Sequence, residues 1–139
     1  MNIRPYQAAD EAGVLALWQE CGLTRPWNNP YKDIQRKLRV NPEWFLIGEH
    51  DGQVVASAMF GYEGHRGWVN YLAVAPQHRK RGWARALMAH GESLLLAVGC
   101  AKINLQVRQG NDDALAFYQA LGYGVDASIS LGKRLIPDQ

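Results

Sequence analysis

What this chain can fold into is set mostly by the stretch from Tyr71 to Val98. There a short apolar run, Tyr71-Leu72-Ala73-Val74, gives way to a basic loop, Pro76 to Gly82, and then to an amphipathic helix, Trp83 to Val98. A strand that feeds a helix through a tight loop commits the chain to a layered α/β arrangement with helices packed on a sheet. Within the loop, Arg79, Lys80 and Arg81 run straight into Gly82, Trp83, Ala84 and Arg85. The first N–H groups of a helix lack intrahelical partners and sit at the positive end of its dipole, so they bind anions. Gly82 has no Cβ, which permits a tight turn and a close ligand, and Ala84 keeps the first helical turn uncrowded. The arrangement reads as a cradle for a diphosphate. Two other phosphate loops are excluded, because neither G-x-x-x-x-G-K-[ST] nor G-x-G-x-x-G occurs. The plainer alternative is a basic turn before an ordinary surface helix.

From the N-terminus, Asn2 to Tyr6 reads as a short strand that Pro5 confines to an edge. Asp10 is placed to cap a helix carrying Val14, Leu17, Trp18 and Cys21 on one stripe, and Gly22 ends it. The turn residues Thr24 to Pro30 separate it from a second helix, marked by Tyr31, Ile34 and Leu38, that stops before Pro42. Trp44 to His50 and Gln53 to Tyr62 are strands joined through Asp51-Gly52, and the turn Glu63 to Gly67 leads into the strand Trp68 to Val74.

After the loop, Ala84, Leu87, Met88, Gly91, Leu95 and Val98 share one helix face, and Gly99 ends the helix. Lys102 to Val107 alternates as a strand does and should lie parallel to Trp68–Val74 through a right-handed crossover. A helix follows from about Asp112 to Leu121, and Gly124 to Leu135 reads as one or two strands.

With 139 residues and 47% hydrophobic content, one compact α/β (α+β) domain spanning 1–139 is expected, a mixed central sheet flanked by helices. The net charge of +2 argues against nucleic acid as a partner. A nucleic-acid role for Arg79-Lys80-Arg81 and Trp83 would require affinity that falls steeply with salt. Cys21 and Cys100 have no metal-ligand spacing, and buried thiols in a reducing cytosol are expected. No apolar run is long enough for a membrane span, so a cytoplasmic protein without metal is the expectation.

Arg79, Gly82 and Ala84, in their strand–loop–helix setting, match [QR]-x-x-G-x-[GA]. Asn111-Asp112-Asp113-Ala114-Leu115-Ala116-Phe117-Tyr118-Gln119-Ala120-Leu121-Gly122-Tyr123 matches N-x-x-A-x-x-[FL]-Y-x-x-x-G-[FY]. With the element order, these two motifs resemble the GNAT superfamily of N-acetyltransferases over essentially the whole chain. The resemblance implies acetyl-CoA as cosubstrate. Its pantetheine arm would lie along the backbone of Leu72, Ala73 and Val74. Its diphosphate would meet the N–H groups from Arg79 through Lys80, Arg81, Gly82, Trp83 and Ala84 to Arg85. Asn111 would contact the arm, and Tyr118 would protonate the leaving thiolate. A backbone N–H near Val74 would polarise the acetyl carbonyl. By position alone, Tyr118 reads as a core residue beside Ala114, Phe117 and Leu121.

One departure concerns the general base. Relatives that acetylate protein N-termini often have a glutamate where this chain has Gln106, which leaves Glu63, His65 or water as candidates. Polar residues in a Gly-flanked turn are also ordinary solvated turn residues. Trp27 reads equally as part of the acceptor surface and as a plug between the first two helices. The implied partner is a small-molecule, peptide or protein amine, and a homodimer is left open. The alternative function is a module that binds an acyl-CoA without transfer.

Overall fold

The computed structural model describes residues 1–138. Its sheet has five strands in chain order: β1 (Asn2–Pro5), β2 (Phe45–His50), β3 (Gln53–Tyr62), β4 (Gly67–Val74) and β5 (Ile103–Asn104). Helices α1 (Glu11–Glu20), α2 (Pro30–Lys37), α3 (Trp83–Ala97) and α4 (Asp112–Ala120) complete the framework. The first four strands pair antiparallel, and β4 pairs parallel with β5 across α3. A mixed α/β sheet of this kind is the architecture the sequence implies, and Asp51-Gly52 turns from β2 into β3 with positive φ at both residues.

Because both sheet faces are covered, β2 and β3 are apolar on both sides. Phe45, Ile47 and Met59 face a cluster with Val14, Leu17, Trp18 and Ile34 from α1 and α2. Leu46, Ala58 and Phe60 face the opposite way, against Leu87, Met88 and Leu95 of α3. The helix α3 sits unusually close to β3 at Gly91, where an added Cβ would lie 2.0 Å from Phe60 Cζ.

Four local expectations are corrected. Asp10 does not cap α1 through its side chain; its carboxylate accepts the Gln7 N–H at 2.8 Å and pairs with Arg4, which also reaches Glu49. Arg4 holds the Asp10 carboxyl below its ordinary range. Val98 is 49% exposed, since α3 ends at Ala97 before its stripe closes. The strand expected over Lys102 to Val107 is paired only at Ile103–Asn104, because the chain then turns away from β4. Gly124 to Leu135 forms no strand. Alternation gives that segment a strand's pattern, but a strand also needs a neighbour for its N–H and C=O groups. It is tied to the body by side chains instead, Asp126 to Lys102 at 2.9 Å and to Asn104 at 2.8 Å.

Candidate active site

The strand β4 carries an irregularity where the sequence reads as a regular strand. Ser57 faces Ala73 and Met59 faces Asn70, so two residues, Tyr71 and Leu72, stand opposite Ala58. Tyr71 adopts φ 55°, a conformation that costs an aromatic residue about 1–3 kcal/mol unless its surroundings hold it. They do. Trp18 Nε1 donates to Ser57 Oγ at 2.8 Å, and Ser57 Oγ donates to the Tyr71 carbonyl at 2.8 Å. The Trp18 ring stacks on Tyr71 with centroids 3.8 Å apart, and the Tyr71 hydroxyl donates to Asp33 Oδ2 at 2.6 Å. Burial and this carboxylate push the Tyr71 phenol well up. No pattern in the sequence marks such a bulge.

Alongside the bulge the sheet is already open. β4 and β5 pair only through Gly67–Ile103 and Trp68–Asn104, and Leu105 to Gly110 then diverges toward α4. A cleft runs into this opening, lined by Leu72 from β4, Gln106 and Arg108 after β5, and Asn111 and Tyr118 of the α4 region. Backbone groups along an unpaired strand edge require partners, so the edge of β4 suits an extended ligand that adds itself as a strand.

The basic loop stands at the far end of β4. Arg79 folds back so that its Nε donates to the Val74 carbonyl at 3.2 Å. Lys80 and Gly82 both have positive φ, 65° and 80°, which turns the chain into α3. The first helical hydrogen bond of α3 is donated by Ala86 to Gly82 O. The N–H groups of Trp83, Ala84 and Arg85 therefore precede the intrahelical ladder and point out of the helix start. Trp83 stacks on His78 at 5.0 Å, and the Arg81 guanidinium lies 5.3 Å from its ring centroid. These contacts fix the first turn of the helix with its cations around it.

Tyr118 is half-buried on α4, packed edge-on against Phe117 and Tyr123. Burial pushes its phenol up to about 12, above an ordinary value at which a tyrosine already keeps its proton at neutral pH. Tyr123 is itself anchored by its hydroxyl to Glu92 Oε2 at 2.7 Å. Asn111 has a second task that the motif does not reveal: its Oδ1 accepts the Ala114 N–H at 3.2 Å and caps α4.

The structure does not bring Glu63 to the cleft. It lies in the β3–β4 turn, beyond the paired end of β4, where its Oε1 accepts the His65 N–H at 3.0 Å and also the Arg66 N–H. Its carboxylate serves the turn. Gln106 does line the cleft, and its side chain meets Ser130. Cys100 is buried and Cys21 only partly so, its Sγ 3.4 Å from the Val74 carbonyl.

Two further contacts join the α1–α2 side to later parts of the chain. Trp27 is half-exposed in the loop before α2, and Arg108 lies 5.8 Å from its ring centroid, so the loop meets the segment after β5. Asp138 near the C-terminus has a side chain only 1% exposed. It accepts the Asn29 N–H at 2.7 Å and Arg36 at 2.7 and 3.3 Å, which hold its carboxyl far below its usual range. Arg134 reaches Asn28 and lies 3.6 Å from Asp138. A sequence pattern has no means of pairing Asp138 with α2.

A model of the acetyltransferase (GNAT) family matches residues 12–123. An acetyltransferase of Yersinia enterocolitica is 49% identical over 139 residues, covering 100% of this chain and 99% of that protein. One of Pectobacterium atrosepticum is 48% identical with the same coverage. Among solved structures, Ard1 of Thermoplasma volcanium superimposes with a TM-score of 0.77 at 23% identity, over 91% of this chain and 84% of that one. The ribosomal-protein-S18-alanine N-acetyltransferase of Escherichia coli gives 0.71 at 23% identity, over 87% and 76%. At such identities the likeness is one of fold. The family match and the full-length relatives go further: this chain belongs to the GNAT family of acetyltransferases.

Proposed function

We propose that this protein transfers an acetyl group from acetyl-CoA to an α-amino group by direct attack of the neutral amine on the thioester. The observation that carries the proposal is the course of one edge. From Val69 to Val74, β4 has no strand partner on its β5 side among the described residues, and the basic loop that follows its end leads into α3. An extended arm fits along Leu72, Ala73 and Val74, with its diphosphate at the N–H groups of Trp83, Ala84 and Arg85 and the charges of Arg79, Lys80 and Arg81 beside it.

Negative charge develops first on the carbonyl oxygen and then on sulfur. A backbone N–H of the β4 edge meets the first, and the protonated Tyr118 hydroxyl, in the same cleft, meets the second.

Enzymes of this fold include ones named for protein-alanine and for aminoglycoside 6′-N-acetylation, so the acceptor is argued from this chain's own residues. Gln106 cannot take a proton, and Glu63 is committed to its turn. Preparing a neutral lysine side chain at neutral pH costs about 3.5 kcal/mol more than preparing a neutral α-amine. Of the acids that line the cleft, Asp33, Glu92 and Asp126 already accept from Tyr71, Tyr123 and Lys102, and Asp112 stands in the first turn of α4. An amine that needs little help from a base is therefore favoured, and the α-amine is that amine.

The test is release of CoA thiol, with acetylated product identified by mass, for a peptide with a free N-terminus and no lysine. The comparison is the same peptide N-terminally blocked and carrying one lysine. Higher kcat/KM for the free N-terminus is expected. Faster turnover of the blocked lysine peptide refutes the preference. CoA binding without transfer to any amine class would leave a non-catalytic acyl-CoA-binding module.

A further inference from the structure

The charges lining the cleft are unequally matched. Each of three acids is engaged by the protein itself. Asp33 receives the Tyr71 hydroxyl and pairs with Arg36 at 3.0 Å, Glu92 receives Tyr123, and Asp126 receives Lys102 and Asn104. Asp112, the remaining lining acid, stands in the first turn of α4, where the helix dipole favours negative charge.

Three lining cations have no carboxylate partner among the described residues. The guanidinium of Arg25 donates only to backbone, at Gly22 O (2.7 Å) and Thr24 O (2.9 Å). Lys37 donates its Nζ to the Phe60 carbonyl, and Arg108 rests on the face of Trp27. Lys37 is the most telling of the three. It is half-buried at the end of α2, where burial depresses its pKa and the charge of Glu43 only partly offsets that effect. Holding an ammonium there is costly until an anion arrives.

Lys37 reaches Phe60, whose partner Val69 lies near the start of β4, whereas the charges argued to hold the diphosphate, Arg79 to Arg85, follow the end of that strand. Arg25 bonds Gly22, beside Cys21, whose Sγ meets the Val74 carbonyl at that end. Arg25 and Lys37 belong to the α1–α2 side of the molecule, and Arg108 reaches that side through Trp27. Lys37 and Arg108 line the cleft away from the diphosphate loop, whose residues Arg79 to Arg85 do not line it.

We infer that the acceptor of this enzyme is an amine that also carries an anionic group, held by Lys37 and Arg108 on the α1–α2 side of the cleft. The inference rests on the acetyl-transfer reading for the amine and on the unmatched cations for the anion. Carboxylate and phosphate share the chemistry required, and the choice between them is part of the test.

The experiment uses the full chain saturated with CoA for calorimetric titration, and with acetyl-CoA for kcat/KM. Two matched pairs of amines serve as probes: alanyl-glutamyl amide against alanyl-glutaminyl amide, and phosphoethanolamine against ethanolamine. In at least one pair the anionic member is expected to be favoured by about tenfold, an advantage that shrinks as salt is raised. The responsive pair identifies carboxylate or phosphate. The ratio within that pair should fall toward one in Lys37→Gln and Arg108→Gln and recover in Lys37→Arg, which restores charge without restoring a lysine.

Equal treatment of the two members of both pairs, by binding and by turnover, would overturn the inference, as would an advantage that survives both neutralising substitutions. If both members of a pair are acetylated equally, acetyl transfer stands and only the anionic acceptor falls. If the anionic member binds selectively and nothing is acetylated, the converse holds.

Discussion

Gly82 bears more of the proposed binding chemistry than any other single position in the loop. Its φ of 80° lies in the region that side chains rarely adopt, and an added Cβ would meet no protein atom within 4 Å. The space is open on the protein's side and is where a diphosphate is proposed to sit. Valine at this position would strain the turn by roughly 1–2 kcal/mol and intrude on the bound anion. Gly82→Val is expected to fold and to bind CoA at least about tenfold more weakly by calorimetry. Unchanged affinity in a folded variant would place the ligand elsewhere. At this scale much was legible in the sequence. Arg79, Gly82 and Ala84 mark the turn from β4 into α3 by residue type and spacing, and Gly82 has the positive φ that turn requires. Tyr71 does not declare its bulge, since no local pattern reports that an aromatic residue has positive φ when its hold comes from Trp18, Ser57 and Asp33. Asn111 declares a motif while concealing its cap on α4.

Among the elements, α3 has the tightest demand on its sequence. Its stripe of Leu87, Met88, Gly91 and Leu95 could be read as a packing face, but Gly91 looks like a weakness inside a helix until the Phe60 ring is seen against it. Alanine has the higher helix propensity by up to about 1 kcal/mol, yet its methyl would displace Phe60 from a filled core. Gly91→Ala is therefore expected to lose about 1–3 kcal/mol of stability in thermal or denaturant unfolding. Stability equal to or above the parent's would mean that α3 does not lie this close to β3. The elements that sequence reading placed poorly share one cause. The strand expected to Val107 and those expected over Gly124 to Leu135 have the right alternation, but pairing depends on a neighbouring edge that alternation cannot supply. The early divergence at Asn104 is also what opens the cleft.

Viewed whole, the molecule brings two faces of one sheet to a single opening. Leu72 and Tyr118 belong with the α3-side core, whereas Tyr71 belongs with the α1–α2 core, and both sides line the cleft. In the proposed reaction, donor and acceptor would approach from opposite faces and meet at the bulge. The C-terminal segment joins this arrangement through Asp138, which ties it to Asn29 and Arg36 and, by way of Asp33, to the Tyr71 hydroxyl. Such long-range closure is the part of the site least visible in sequence, because residues 29, 36 and 138 share no local pattern.

In the proposed reaction Tyr118 meets the acetyl donor in this cleft as a proton donor and is not merely a packed core residue. Steady-state kinetics of Tyr118→Phe, with CoA affinity measured in parallel, test it most directly, since only the hydroxyl is removed. CoA affinity should stay within about twofold of the parent while kcat falls by roughly 10²–10⁴-fold. A kcat within about twofold of the parent, at unchanged CoA affinity, would contradict the account.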